Sequence, residues 1–270
     1  MALTLLFIGC GNMGAAIAGG AAAALPEARL VALDPEPERA RSLLPPGSAV
    51  EIHATPEDLR ISPDLILLGI KPQSFAGLAP EVLSLLAAAP VVSIMAGVPL
   101  TRLTSAIGHA RVIRVMPNLP ALVGAGMSLG CRAPGLADAA LDALVAKVFG
   151  AIGRFDWASD EVAFETANPV FGCGPGFVFA IAEQMIRAAV AQGVSPGLAD
   201  GLVRQTLFGA AKMLAEDARD AAMLKRAVSS PGGTTLAGLA VLEAPNALPA
   251  LLPRTYQAAQ ARALELAALS

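Results

Sequence analysis

The sequence predicts an α/β protein in which an N-terminal, Rossmann-like, doubly wound and mostly parallel sheet is followed by an all-α domain. Three observations predict this fold class. Short apolar runs alternate with helical patterns over residues 1–157, an order typical of a parallel sheet with helices on both faces. A glycine motif directly follows the first apolar run. Strand-like patterns end at about residue 158, and only helical patterns follow.

Each predicted strand is a short apolar run bounded by turn residues. The predicted strands are Leu3–Ile8, Arg29–Leu33, Ala49–Ile52, Leu65–Ile70, Val91–Met95, Arg111–Val115, Ala125–Leu129 and Gly153–Phe155. The predicted helices of the first part are Asn12–Ala24, Pro37–Leu44, Phe75–Ala88, Leu100–Ile107 and Leu136–Phe149. The predicted helices of the second part are Phe177–Ala191, Pro196–Glu216, Leu236–Leu242 and Ala247–Ala267. We therefore expect a dinucleotide-binding domain over residues 1–157 and a helical domain over residues 158–270.

The first glycine motif, Gly9–Gly14, stands between a predicted strand and a predicted helix, which is the context that dinucleotide binding requires. Gly9 permits the turn, Gly11 lets the backbone approach a pyrophosphate, and Gly14 lets the helix pack against the sheet. The second strand ends at Asp34, where a carboxylate can accept hydrogen bonds from an adenosine ribose. The alternative is a glycine-rich helix start with a surface aspartate.

Ligands of such sheets bind beyond the carboxyl ends of the strands, so the residues that follow other strands are further candidates. Small residues at Ala96 and Gly97 would admit a flat nicotinamide, whereas Lys71 either meets a phosphate or lies on the surface. Asn118 either bonds a carboxamide or ribose, or forms a structural turn between prolines. The candidate cofactor-binding residues are Ile8, Gly9, Cys10, Gly11, Asn12, Met13, Asp34, Gly69, Ile70, Lys71, Pro72, Ala96, Gly97 and Asn118.

A second glycine motif, Ser229–Thr235, joins two glycines to two threonine hydroxyls where an apolar helical run begins. Glycine tolerates positive φ, and a helix start attracts a small anion such as a carboxylate. Thr234 and Thr235 are suited either to capping this helix or to pointing a hydroxyl at a bound group. The alternative is a plain Pro-Gly turn followed by a capped helix.

Composition narrows the class of protein. Hydrophobic residues make up 55% of the 270 residues and charged residues 15%, so we expect extensive helix burial and an oligomer. The net charge of −3 carries no basic block, which argues against a nucleic-acid partner. Three widely spaced cysteines and two histidines predict a reduced, cytoplasmic protein without a metal site. Glycines interrupt the uncharged N-terminal run, so we expect no membrane span.

The predicted helix Phe177–Ala191 is apolar nearly all round, which predicts burial in a core or at a subunit contact. Its charged residues, Glu183 and Arg187, are four positions apart and are expected to pair.

Taken together, the motifs resemble the pyrroline-5-carboxylate reductase family, and they do so in order over most of the chain. The matching segments are Phe7–Gly14, Lys71–Pro72, Ser93–Val98, Met116–Asn118, Gly172–Pro175, Ser230–Thr235 and Val241–Glu243. The resemblance implies reduction of L-1-pyrroline-5-carboxylate to L-proline by NADPH or NADH. It also implies that the helical domain is a dimerisation domain and that the substrate site forms between subunits of a homodimer or higher homo-oligomer.

The resemblance also implies roles for the second glycine motif. Thr235 matches the hydroxyl that contacts substrate and is the candidate catalytic residue, while Gly232 and Gly233 match backbone that grips the substrate carboxylate. The candidate substrate-binding residues are Ser230, Gly232, Gly233, Thr234 and Thr235. A protonated cyclic imine accepts hydride readily, so orientation of the reactants is the main demand on the protein.

Several positions depart from the family pattern. Leu119 stands where the family usually has threonine, Gly176–Phe177 replaces Ala-Tyr, and Arg187 and Arg226 stand where aspartate is common. Asp34 repels a 2′-phosphate and favours NADH, although Arg39 and Arg41 lie close enough to offset it.

The alternatives are a reductase of another cyclic imino acid and a catalytically weak nucleotide-binding sensor. A β-hydroxyacid dehydrogenase-like enzyme is a third. It would need a catalytic lysine in the helical half, where Lys212 and Lys225 lie outside any such motif.

Overall fold

The computed structural model describes residues 3–59 and 61–269. Within these residues the chain forms one sheet of eight strands with the spatial order β3-β2-β1-β4-β5-β6-β7-β8. The strands are β1 (Thr4–Ile8), β2 (Arg29–Leu33), β3 (Glu51–His53), β4 (Leu65–Leu68), β5 (Val91–Ser93), β6 (Val112–Pro117), β7 (Gly126–Arg132) and β8 (Gly153–Trp157). The first six follow the order 3-2-1-4-5-6 of a Rossmann sheet. The predicted fold class is confirmed.

Neighbouring strands run parallel except β6 and β7, which pair in antiparallel register with Val115 opposite Gly130. The outer pair, β7 and β8, is parallel again. In the centre, Leu6 of β1 pairs with Val31 on one side and Ile66 on the other. The carboxyl ends of β1, β2 and β4 therefore lie side by side at one edge of the sheet, where a dinucleotide cleft is expected.

Twelve α-helices complete the described chain. They are α1 (Asn12–Ala24), α2 (Pro37–Leu43), α3 (Pro72–Phe75), α4 (Pro80–Ala88), α5 (Leu100–Ile107), α6 (Ala139–Gly150), α7 (Glu161–Phe171), α8 (Gly174–Ala191), α9 (Pro196–Glu216), α10 (Ala221–Ala227), α11 (Thr234–Leu242) and α12 (Leu248–Leu269). The predicted single helix Phe75–Ala88 is wrong. Helix α3 ends at Phe75 and α4 begins only at Pro80, because the residue before a proline avoids the helical region. The sequence reading missed α7 and α10.

The sheet is covered on both faces, because successive side chains of a strand point to opposite sides. Leu5 and Phe7 of β1 join a cluster that contains residues of α1 and α6. Leu6 and Ile8 join a second cluster that contains residues of α4 and α5. Because both faces of the sheet are buried, the central strands consist of continuous apolar runs.

The described chain divides into two compact units. One holds the sheet, comprising the residues up to Cys173 and those from Gln260 onward, and the other is the helical unit Gly174–Ala259. Helix α7 belongs to the sheet unit and buries Phe164 in its core. The domain boundary after residue 157 stays a prediction.

The helical unit exposes much apolar surface in the single chain. Helix α8 has no buried residue in the single chain. The prediction that it is buried in a core is therefore wrong, and burial at a subunit contact is the alternative that remains. The predicted pair forms, with 2.5 Å between Arg187 Nη2 and Glu183 Oε1. Among the described residues, the stretch Glu161–Ala191 is long and apolar enough to cross a membrane by length and composition. The break between α7 and α8 falls inside that stretch.

Candidate active site

The glycine turn after β1 is built from close backbone contacts. Gly9 has φ of +90°, and a Cβ there would lie 2.8 Å from the Gly69 carbonyl oxygen. A Cβ on Gly14 would lie 2.4 Å from the Gly9 carbonyl oxygen. Any larger residue at either position therefore forces β1, β4 and α1 apart, which explains why the motif needs glycine at both.

The same turn leaves an open helix start. Gly11 is the N-cap of α1 and no side chain caps the helix, while a Cβ on Gly11 would meet nothing within 4 Å. The first N–H groups of a helix have no partner within the helix and point outward, where they favour an anion. Backbone donors and open space thus coincide at Gly11, as a dinucleotide pyrophosphate requires.

Asp34 ties the end of β2 to this turn. Its Oδ2 atom accepts a hydrogen bond of 2.7 Å from the Cys10 N–H, and its Oδ1 atom accepts one of 2.9 Å from the Glu36 N–H. The residue is only 8% exposed. The carboxylate is therefore held in one orientation, and its remaining lone pairs stay available to a ribose.

Two cavities gather most of the predicted cofactor residues. The larger, of 700 Å³, contains seven of them: Ile8, Gly9, Gly11, Asp34, Gly69, Ile70 and Lys71. The smaller, of 270 Å³, contains three: Pro72, Ala96 and Gly97. Because Lys71 and Pro72 are consecutive, the cavities adjoin along the carboxyl edge of the sheet. Arg39 also lines the larger cavity.

The four remaining candidates line neither cavity. Asn12 and Met13 belong to the first turn of α1, where their contribution is backbone N–H groups. Burial, followed by the charge of Asp34, raises the pKa of the Cys10 thiol to about 11, so this cysteine is not a nucleophile at neutral pH. The Asn118 amide accepts from the Met127 N–H at 2.8 Å and donates to the Phe171 carbonyl at 3.0 Å. These bonds favour the structural turn; a cofactor contact of Asn118 stays a prediction.

The second glycine motif lies in the helical unit and forms a tight turn. The Gly233 N–H donates to the Ser230 carbonyl at 2.9 Å and Gly232 has φ of +72°. Proline followed by a positive-φ glycine is the pattern of a type II turn. The Gly233 N–H is thereby used inside the turn, and substrate binding by Gly232 and Gly233 stays a prediction.

Helix α11 begins directly after this turn. Its N-cap is Gly233 and no side chain caps it, so of the two alternatives for Thr234 and Thr235, capping of this helix is wrong. Thr234 and Thr235 are instead its first two residues, and both are exposed. Their N–H groups are unpaired within the helix and their hydroxyls stand beside them, which makes this helix start a donor set for a carboxylate.

An ion pair between two helices brackets the turn. Lys225 Nζ of α10 pairs with Glu243 Oε1 at the end of α11. The Ser229 hydroxyl also donates to the Lys225 carbonyl at 2.7 Å. The turn is therefore held on both sides rather than left as a free loop.

Sequence reasoning missed a buried arginine beside the smaller cavity. The Arg114 side chain on β6 is 3% exposed, and its Nη1 atom lies 2.5 Å from Glu161 Oε1 and 2.7 Å from Glu165 Oε1. Glu165 lines the smaller cavity. The available signal was one arginine within an apolar strand, but the sequence does not indicate which acids meet it.

The fold and these cavities define a dinucleotide-dependent oxidoreductase with an attached helical unit. Two family models match the chain. The model described as "NADP oxidoreductase coenzyme F420-dependent" matches residues 4–97, and that described as "Pyrroline-5-carboxylate reductase dimerisation" matches residues 161–266.

Known relatives agree with these matches. A pyrroline-5-carboxylate reductase from Pisum sativum is 35% identical over 246 residues, covering 89% of this chain and 88% of the relative. The structure of a pyrroline-5-carboxylate reductase from Coxiella burnetii superposes with a TM-score of 0.88 at 28% identity, covering 97% of each chain. A Plasmodium falciparum pyrroline carboxylate reductase with NADP bound superposes with a TM-score of 0.79 at 26% identity, covering 98% of each. The chain belongs to the pyrroline-5-carboxylate reductase family.

Proposed function

We propose that this protein reduces L-1-pyrroline-5-carboxylate to L-proline with NADPH or NADH, the last step of proline biosynthesis. The proposal rests on the presence of two features in one chain. One is the larger cavity, whose lining fits a dinucleotide, and the other is the uncapped start of α11 at Ser230–Thr235. Family membership at 35% identity over most of the chain supports the same reaction. We further propose a cytoplasmic location.

The residues present fit the cofactor. The open space at Gly11 and the free helix start would hold the pyrophosphate, and Asp34 would meet the adenosine ribose. Ala96 and Gly97, with no bulky side chain, would border the nicotinamide. When bound, NAD(P)H supplies the hydride and the protein supplies the orientation of the reacting groups.

The substrate is a five-membered cyclic imine that carries a carboxylate. We assign the carboxylate to the Gly232 N–H and the first N–H groups of α11, because the Gly233 N–H is engaged within the turn. The Thr235 hydroxyl would then reach the ring nitrogen. Holding the ring in a reactive orientation lowers the barrier by roughly 7–11 kcal/mol in favourable cases.

We propose that the active site is completed by a second copy of the chain. The helical unit exposes Phe179, Leu202 and Phe208, and the dimerisation model covers this unit. Apolar surface of this extent is covered in a homo-oligomer. The proposed assembly is a homodimer or a higher homo-oligomer in which Ser230–Thr235 of one subunit serves the cofactor cleft of another.

The test is steady-state oxidation of NADH and NADPH by the purified protein with L-1-pyrroline-5-carboxylate. We expect turnover of at least about 1 per second, within the ordinary enzyme range. Thr235→Ala should lower kcat/KM by about 10- to 100-fold, because the hydroxyl oxygen that would accept a hydrogen bond from the protonated ring nitrogen is lost.

The matched control is Thr101→Ala. Thr101 is also an exposed second residue of a helix, but it lies in α5 and lines neither cavity. Cofactor binding without turnover would favour the sensor, and turnover only with a six-membered cyclic imino acid would favour a different substrate. Equal activity of the wild type and Thr235→Ala would remove Thr235 from the site.

A further inference from the structure

The buried arginine described above joins the sheet to α7. Arg114 Nη1 contacts one carboxylate oxygen of Glu161 and one of Glu165, and the guanidinium lies 4.8 Å from the centre of the Phe164 ring. Glu161 Oε1 also accepts a hydrogen bond of 2.8 Å from the Leu100 N–H. These contacts fix the orientation of α7 against β6 and the start of α5.

The cluster carries unbalanced charge. One guanidinium faces two carboxylates, so ionised side chains leave one negative charge. Glu161 is tied both to Arg114 and to a backbone N–H, whereas Glu165 uses one oxygen for Arg114. Within the residues that the structure describes, Glu165 Oε2 has no hydrogen-bond or ion-pair partner, and the side chain is 28% exposed. The excess charge is therefore presented at Glu165.

Glu165 faces the smaller cavity. The cavity also contains Pro72, Gln73, Asn168 and the small residues Ala96 and Gly97. Its volume of 270 Å³ lies just below the roughly 300–1,000 Å³ of sites for drug-sized ligands, so a single small ring is the appropriate occupant.

The charged and titratable groups around Glu165 come from several elements of the sheet unit. Arg114 and Glu161 are the charged partners from β6 and α7, and the neighbouring Cys131 thiol of β7 has its pKa raised to about 11, chiefly by burial, and stays neutral. From α12, Gln260 and Ala263 are uncharged, while Arg262 and Glu265 pair with each other. Lys71 and Arg39 are cations that line the adjoining larger cavity.

We propose that Glu165 is the anionic group that faces the protonated imine nitrogen of the substrate, and that Arg114 and Glu161 position it. This inference rests on the proposed function. The imine nitrogen binds already protonated, so Glu165 stabilises a cation and transfers no proton. A carboxylate favours the charged form of a nearby cationic acid and raises its pKa, which keeps the iminium populated at neutral pH.

The substrate thus meets opposite charges at its two ends. Its carboxylate is assigned to the start of α11, and its iminium nitrogen to Glu165. This arrangement predicts selectivity for ring compounds with a cationic nitrogen over neutral rings of the same size. Glu165 is then a determinant of substrate specificity as well as of rate.

The first test is equilibrium binding by calorimetry in the presence of saturating NAD⁺. The probes are L-proline, whose ring nitrogen is cationic at neutral pH, and cyclopentanecarboxylate, which has the same ring size and no ring charge. We expect the wild-type protein to bind L-proline at least about tenfold more tightly, and Glu165→Gln to reduce this preference about fivefold or more. Glu161→Gln removes one negative charge but keeps an acceptor for the Leu100 N–H. Its preference for L-proline should therefore lie between that of the wild type and that of Glu165→Gln.

The second test is the pH profile of kcat. Because Glu165 raises the pKa of the bound iminium, its loss should move the alkaline limb of the profile to lower pH. A purely structural role of Glu165 would lower activity at all pH values and leave the limb in place. Glu165→Asp, which keeps the charge, should retain the wild-type limb.

Glu51→Gln is the matched control, since Glu51 also pairs with an arginine in the sheet unit but lines neither cavity. An unchanged binding preference and an unchanged alkaline limb in Glu165→Gln, in a protein that is folded and active, would overturn the inference. Absence of pyrroline-5-carboxylate turnover in the wild-type protein would instead contradict the proposed function.

Discussion

Asp34 is held by two backbone N–H groups, and this geometry bears on the choice of cofactor. A carboxylate that accepts from Cys10 and Glu36 cannot turn away from an incoming ribose. A 2′-phosphate placed there would meet a fixed negative charge at close range. Arg39 lines the same cavity, but its side chain is exposed, so it offsets the negative charge of Asp34 only in part. We therefore expect a preference for NADH.

Asp34→Ser should raise the ratio of kcat/KM for NADPH to that for NADH by about tenfold or more, because the repulsive charge is removed while a hydroxyl remains to accept from the Cys10 N–H. Steady-state kinetics with both cofactors measure the ratio. Asp64→Ser, which alters an aspartate whose carboxylate accepts from the Thr4 N–H, is the control. An unchanged ratio in Asp34→Ser would contradict the assignment.

Burial governs the reactivity of two cysteines. The pKa values of Cys10 and Cys131 are raised to about 11, mainly by burial. A raised pKa means that the thiolate forms only at alkaline pH, so fewer than about one thiol in 1,000 is ionised at pH 7.5. We expect iodoacetamide to leave both residues unmodified in the native protein and to label them after denaturation, as read by peptide mass spectrometry. Labelling of native Cys10 at pH 7.5 would show an open glycine turn.

At the scale of elements, the strands were predictable because each is a buried apolar run between turn residues. All eight predicted strands occur, although β6, β7 and β8 extend farther than expected and β4 and β5 end earlier. Pro80 indicated the break between α3 and α4, but the helical spacing of the apolar residues favoured a single helix. Helix α7 contains Pro169, and a proline inside a helical pattern argues against a continuous helix, so its pattern was weak. Its role in positioning Glu165 depends on Arg114, a contact across 51 positions of sequence that no local pattern specifies.

The attachment of α7 to the sheet predicts a large loss of stability in Arg114→Ala. Removing one partner of a buried ion pair leaves uncompensated charge and costs about 3–5 kcal/mol of the free energy of unfolding. Urea denaturation measures the change. Arg29→Ala breaks the exposed pair with Glu51 and should cost at most about 1 kcal/mol. Equal losses in the two variants would contradict a structural role for Arg114.

At the scale of the whole molecule, the exposed apolar side chains of the helical unit are explained by burial between subunits rather than in a core of the unit itself. Residue composition predicted an oligomer, and the single chain exposes apolar side chains along α8 and α9. The candidate substrate residues Ser230–Thr235 lie in this unit, whereas the cofactor cavities lie in the sheet unit. Sequence patterns identified both sets, but only the resemblance to a family implied that separate copies of the chain combine them.

Phe208→Asp should therefore produce monomers with little activity. Phe208 is 63% exposed on α9, and a buried unpaired carboxylate at a subunit contact is strongly unfavourable. Light scattering gives the molar mass, and circular dichroism establishes that the helices remain. Val123→Asp, at an exposed apolar residue of the sheet unit, should stay oligomeric and active. A fully active Phe208→Asp monomer would contradict a shared active site.

The most direct test of the central claim is product formation by the wild-type protein from L-1-pyrroline-5-carboxylate and NADH or NADPH. Chiral chromatography with mass detection should find one molecule of L-proline for each molecule of cofactor oxidised. Cofactor oxidation without L-proline, or no oxidation of either cofactor despite measurable cofactor binding, would contradict the account.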